Sequence, residues 1–206
     1  GILKQDKDPA IYLYSQRFTI RTGARERLGF IALHKIESGK RRGVLPHEHT
    51  FAEHKQDRFS LTKEVRGNLS QVFSLIPDHD RQIARYLRAL TVRRKPLCSF
   101  RFEQVVHRLW RVTDPVAIAR LQRMLRTRRI FIADGHHRFE VACAYKAYAE
   151  KRHLSGLNDH VMMYYASMNP WELTILPTHR VVRKFPRNVA DPLAVLGKAF
   201  DTTRVT

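Results

Sequence analysis

Cysteine is nearly absent from this chain. Two thiols in 206 residues, Cys98 and Cys143, exclude a disulfide framework and fit a reducing cytoplasm. Long apolar runs are missing too. None approaches the roughly 20 residues of a membrane span, and no signal peptide is visible, so no membrane partner is expected. The chain has neither a Gly-x-x-x-x-Gly-Lys-Ser/Thr loop nor a kinase Gly-rich loop, which argues against a P-loop enzyme. Zinc-finger spacing, a basic heptad region and an aromatic RNA-binding motif are likewise missing.

Acidic residues are few: 19 Asp and Glu stand against 38 Lys and Arg, a formal net charge of +19. Such a charge attracts polyanions, so nucleic acid or nucleotides are candidate partners. The basic residues are nonetheless scattered, with short clusters at Lys40-Arg41-Arg42, Arg93-Arg94-Lys95 and Arg126-Thr127-Arg128-Arg129. That distribution reads as a generally basic solvated surface. A hydrophobic content of 43% with periodic segments indicates a globular chain, without repeats or low-complexity linkers, read as one domain over residues 1–206.

What is present centres on residues 129–140. Ile130 to Ala133 is a short β-favouring apolar run and reads as a buried strand. Asp134-Gly135 stops it, an acceptor side chain followed by a residue free to take positive φ. From His136 the period changes, with Phe139, Ala142, Cys143 and Ala147 at helical spacing. Strand, tight turn and helix thus crowd Asp134, His136, His137 and Arg138 together. A helix N-terminus offers unpaired N–H groups and partial positive charge, which favour a bound anion, and Arg138 strengthens that preference. The expectation is a phosphate site; the plainer alternative is Asp134 as a simple N-cap with both histidines solvated.

A second polar cluster follows Pro46, which cannot lie within a helix or central strand. His47 to Thr50 is expected on a loop leading into a helix, with Thr50 and Glu53 at capping-box spacing and Phe51, Phe59 and Leu61 facing inward. His47 and His49 could share one side of an extended backbone, but this is not the His-Glu-x-x-His pattern and no zinc is expected. Glu48, with His47 beside it, is instead a candidate proton acceptor for a substrate hydroxyl. Lys55 or Arg58 would hold a phosphate.

Elsewhere Ile11–Tyr14 and Leu28–Leu33 read as strands flanking a turn at Arg21-Thr22-Gly23, and Asn68–Ile76 as a turn and then a further strand. Ile83, Leu87 and Leu90 mark an amphipathic helix. Residues 104–112 alternate, placing His107 and Arg108 on opposite faces and Trp110 in the core. Asp114-Pro115 starts a helix whose stripe is Ile118, Leu121 and Leu125. Val161–Ala166 and Leu173–Leu176 complete the expected strands. Pro177-Thr178-His179-Arg180 follows, where His179 and Arg180 either join the anion pocket or decorate an edge. The sum is a mixed α/β fold, a mixed sheet with flanking helices around the strand–turn–helix.

The stretch Asp134-Gly135-His136-His137-Arg138-Phe139-Glu140 resembles the hallmark of the bacterial and archaeal "domain of unknown function 1015" family. Pro9–Tyr14, His47-Glu48-His49-Thr50, Lys55-Gln56-Asp57-Arg58, His107-Arg108-Leu109-Trp110 and Pro177–Arg180 agree with it in order. Relatives generally carry a Pro where Gln71 stands and are longer at both ends. With Gly1 in place of an initiator Met, the expectation is a fragment of a longer chain. The same turn is similar to that of the ParB and sulfiredoxin superfamily, which includes free-serine kinases. That resemblance implies a nucleotide-dependent phosphotransferase for a small hydroxyl metabolite such as serine. Gly135, His136, His137 and Arg138 would cradle the phosphates of ATP or ADP. Asp134 or Glu48 would act as base, and Asp134 as a Mg²⁺ ligand. The alternative is a ParB-like nucleic-acid-binding or nucleotide-sensing module without catalysis.

Overall fold

The computed structural model describes residues 6–37, 43–48, 52–92, 94–156, 158–175, 181–185, 189 and 191–203. They fall into two compact units divided after Thr174. The first holds a mixed eight-stranded sheet: β1 (Ile11–Ile20), β2 (Gly23–Lys35), β3 (Val44–Leu45), β4 (Val72–Ile76), β5 (Cys98–Phe102), β6 (Val105–Val112), β7 (Ile130–Asp134) and β8 (His160–Ser167). Their spatial order is β3-β7-β4-β8-β2-β1-β6-β5. The helices are α1 (Ala52–Val65), α2 (Gln82–Val92), α3 (Pro115–Leu125) and α4 (His136–Lys151), with α5 (Pro192–Leu196) in the second unit. The mixed α/β reading is thereby shown. No helix among the described residues is long and apolar enough to cross a membrane.

The sheet is two-faced because side chains alternate along each strand. Leu13 pairs with Phe30 and Trp110, and Phe30 with Tyr165, so these four share a face. All four are buried there, together with Ile83 and Leu87 of α2, Leu121 of α3 and Phe139 of α4. Burying a side chain such as Phe30 contributes about 1.5–3 kcal/mol, and this face holds the core. The opposite face carries rings as well: Tyr164 stacks on Phe73 at 5.4 Å and meets Tyr14 edge-on at 5.6 Å. Gly29 lies under Tyr164. A Cβ there would fall 2.2 Å from the Tyr165 carbonyl oxygen and 2.5 Å from a Tyr164 ring carbon.

Local chemistry sets the helix starts. Asp114 accepts from the Val116 N–H at 2.9 Å with Pro115 at the first helical position, as its spacing predicts. Buried Asp78 caps α2, accepting from Ile83 at 3.1 Å and Ala84 at 2.9 Å.

Several expectations change. The expected stripe of α4 fails at exposed Ala147, while Ala142 and Cys143 are only partly buried. This helix is covered on two sides: Phe139 enters the core, while Val141, Tyr145 and Ala149 are buried on another side. Beside the latter lies α1, whose Phe59 meets Tyr148 edge-on at 5.7 Å. Leu61 is exposed rather than inward-facing, and Phe51 and Thr50 of the capping box lie outside the described residues. Leu173–Ile175 is not a strand: Glu172 and Leu173 N–H both bond the Asn169 carbonyl, and this tight turn replaces ladder pairing. Leu176, His179 and Arg180 lie outside the described residues.

Candidate anion-binding site

The turn after β7 is built around Gly135. Its φ of +92° is a conformation that side-chain-bearing residues resist, and it turns the chain from strand to α4 without a capping side chain. Asp134 is therefore not an N-cap. Its carboxylate pairs with the Arg138 guanidinium one turn along α4, and Arg138 also donates to the Gln71 carbonyl at the start of β4. Arg138 consequently ties the turn to the neighbouring strand while remaining partly exposed.

His136 is buried, and it joins the two polar clusters of the sequence. Its Nε2 accepts the backbone N–H of His47 at 3.2 Å, which leaves the ring proton on Nδ1. Nδ1 faces Glu48 Oε2 at 3.3 Å, near enough for the ring N–H dipole to attract the carboxylate but outside hydrogen-bond geometry. The His47 ring stands edge-on to the His136 ring at 4.5 Å. Burial, and next the His47 imidazole, lowers the His136 pKa below the usual histidine range, against the opposing pull of Glu48, Asp134 and Glu140. A neutral ring thus clamps the Glu48 loop to the start of α4. The Glu48 carboxylate itself stays exposed to solvent. Adjacent β3, paired in parallel with β7, fixes the same loop from its other side.

Lys55 on α1 reaches across to Glu140 on α4 at 3.0 Å, and so the Lys55-Gln56-Asp57-Arg58 segment is held against the helix that begins at the turn. Between these helices and the segments around 66–70 and 155–160 lies a cavity of about 270 Å³. Arg58, Arg66 and Arg138 line it, with Ser70, Asn158 and His160. Leu33, Val141, Ala142, Val161 and the Tyr145 ring supply an apolar floor. No Asp or Glu lines it among the described residues. His137 is half-buried in the first turn of α4.

The chain matches the family model described as a protein of unknown function, DUF1015, over residues 1–205. It belongs to the DUF1015 family. No curated protein and no solved structure matches it. Within this DUF1015 chain the hallmark stretch 134–140 supplies the turn, the clamp and, through Arg138, part of the cavity lining. His47 and Glu48 come against it through His136. Sequence reasoning missed Arg66, Ser70, Tyr145, Asn158 and His160. Arg66 carries the only retrievable signal, a place in the short Val65-Arg66-Gly67 helix exit, but its φ of +51° is a backbone property that no spacing announces.

The residues fit an anion better than a metal. Among the described residues no group of three or more His, Cys, Asp or Glu could hold a metal ion, and the charge of Asp134 is met by Arg138.

Proposed function

We propose that this protein binds a phosphorylated small molecule, a nucleotide such as ATP or ADP, in the cavity between α1 and α4. One observation carries the reading: three arginines, Arg58, Arg66 and Arg138, border an apolar-floored cavity that no carboxylate among the described residues lines. Guanidinium groups suit phosphate oxygens, and the floor suits a base or another apolar moiety. Of the turn and the first residues of α4, Arg138 is the one that reaches the cavity lining, and the Gly135, His136 and His137 amides lie beyond it. The volume, near the low end of ordinary ligand sites at about 300 Å³, suits a mononucleotide rather than a dinucleotide.

The chemistry that follows is phosphoryl transfer to a small hydroxyl metabolite, serine being the first to test. Glu48, beside the neutral His136 ring and outside the cavity lining, accepts the hydroxyl proton while the hydroxyl oxygen attacks the terminal phosphorus. The bond to the bridging oxygen breaks, and ADP leaves when ATP is the donor or AMP when ADP is. Asp134 is the alternative base. To hold Mg²⁺ it would have to release Arg138, so the cation is expected to arrive on the nucleotide. The two free thiols suit a reducing cytoplasm. A second reading, nucleotide sensing or nucleic-acid binding without turnover, draws on the +19 charge.

Calorimetric titration of ADP and ATP with Mg²⁺ tests the site. Wild type should bind saturably. Arg66→Gln and Arg58→Gln, which alter exposed positions, should each weaken binding about tenfold, the scale of a lost charge-assisted hydrogen bond. Unchanged affinity in both variants would remove the cavity as the site. Glu48→Gln should retain binding and lose transfer to serine.

A further inference from the structure

The sheet face opposite the core brings together residues that no stretch of sequence shows together. By strand parity Tyr14, Gln16 and Phe18 of β1 share this face with Arg25, Arg27 and Gly29 of β2. Phe100 and Phe102 of β5, His107 of β6, Tyr164 of β8 and Phe73 of β4 lie on it too. The rings are ordered against one another. Phe100 stacks on His107 at 4.9 Å with 10° between planes, and His107 on Tyr14 at 5.9 Å. The Arg27 guanidinium lies 5.0 Å from the Phe73 centroid, and Arg25 lies 5.6 Å from the ring of exposed Trp171.

Two properties make this more than a packed apolar surface. Charge is the first: Arg25 and Arg27 form no ion pair among the described residues, and the carboxylates near this face are Asp134, opposite Phe73 and already paired with Arg138, and buried Glu172 near Tyr164. An unsatisfied donor is the second. His107 Nε2 is a buried side-chain atom without a hydrogen-bond partner, in a residue more than nine-tenths buried, while the buried Tyr164 hydroxyl is met by the Arg27 guanidinium. Native structures keep such atoms rare, and one beneath the rings of this face points to a ligand that supplies an acceptor. Phe100 and Phe102, 54% and 61% exposed, offer flat rings at the edge strand.

We propose that this face binds single-stranded nucleic acid. Unpaired bases stack on Phe100 and Phe102, and the backbone phosphates lie along Arg25 and Arg27. Rings interleaved with guanidinium groups across an open sheet suit that ligand, because every base has a π-face and every phosphate a charge. A duplex hides its bases and can offer only its phosphates. This gives the nucleic-acid reading a surface of its own, separate from the arginine-lined cavity.

The test is fluorescence anisotropy with labelled dodecamers of deoxythymidine and of uridine, against a mixed-sequence duplex of equal length, at several salt concentrations. The single strands should bind more tightly than the duplex. Phe100→Ala and Phe102→Ala should each weaken single-strand binding about tenfold. Arg25→Gln, which touches no core residue, should lower the slope of log affinity against log salt by about 0.7. Arg66→Gln, in the cavity, should leave oligonucleotide affinity within about twofold, and Phe102→Ala should leave nucleotide binding unchanged. Failure of the face is thereby distinguishable from failure of the cavity. Duplex binding as tight as single-strand binding, or wild-type affinity in Phe102→Ala and Arg25→Gln, would overturn the proposal in favour of bare electrostatic attraction.

Discussion

Gly135→Ala probes the turn on which the site depends, and its cost follows from two separable terms. The backbone term comes from φ of +92°, where an L-residue is strained by about 1–2 kcal/mol. The contact term comes from Arg138: an added Cβ would lie 2.9 Å from its guanidinium carbon and Nε. These atoms are the far end of a flexible side chain, so the guanidinium moves rather than the backbone. Moving it breaks the bonds to Asp134 and the Gln71 carbonyl. Because the Asp134 end is solvated, that loss is about 1 kcal/mol. The sum, about 2–3 kcal/mol, corresponds to a fall in Tm of roughly 4–12 °C for a chain of this length. Thermal unfolding followed by circular dichroism measures it. The decisive comparison repeats Gly135→Ala in an Arg138→Ala background, where only the backbone term remains and the added cost should drop to about 1–2 kcal/mol. An unchanged Tm for Gly135→Ala, or the same cost in both backgrounds, would refute this account of the turn.

Two further outcomes rest on buried ionisable groups. Glu172 is buried with Oε2 unpartnered, and burial raises its pKa above the ordinary carboxylate value. A raised carboxyl pKa means that the folded state holds its proton more tightly, so stability is lost as pH rises through and above the unfolded value near 4.3. Glu172→Gln should therefore raise Tm at pH 7 and change little at pH 4; equal effects at both would show that charge is not the cause. His136 has the opposite sign. Its lowered pKa makes its contribution complete above the unfolded value near 6.5 and progressively lost as pH falls below it. Denaturant midpoints should fall between pH 7 and 5 more steeply in wild type than in His136→Gln; parallel profiles would exclude the neutral clamp.

The strand–turn–helix was legible because three signals coincide there: an apolar β-branched run, a glycine at the stop, and a change of period. The Asp114-Pro115 helix start was legible for a similar local reason. Strand β5 was not anticipated, since the turn joining it to β6 uses Glu103 and Gln104 at φ of +44° and +66°, conformations usually announced by Asn or Gly. The meeting of Glu48 with His136 crosses 88 positions of chain and depends on β3 pairing with β7. The two residues of β3 are too few for any periodicity. Alternation within single strands revealed Trp110 as core. The ring array opposite it needed the cross-strand register, which no single strand encodes.

Gly29 gives that array a consequence of its own. Tyr164 lies where a side chain at position 29 would stand, so the flatness of the ring layer is set by one missing methyl group. Alanine there could not be absorbed by backbone drift, because the nearest atom is the Tyr165 carbonyl oxygen of the adjoining strand. The tyrosine would have to tip outward, carrying Phe73 and Tyr14, its two ring neighbours, out of alignment. Position 29 thus serves as a mould for the whole layer, and the smallest side chain available would recast a surface spread over three strands.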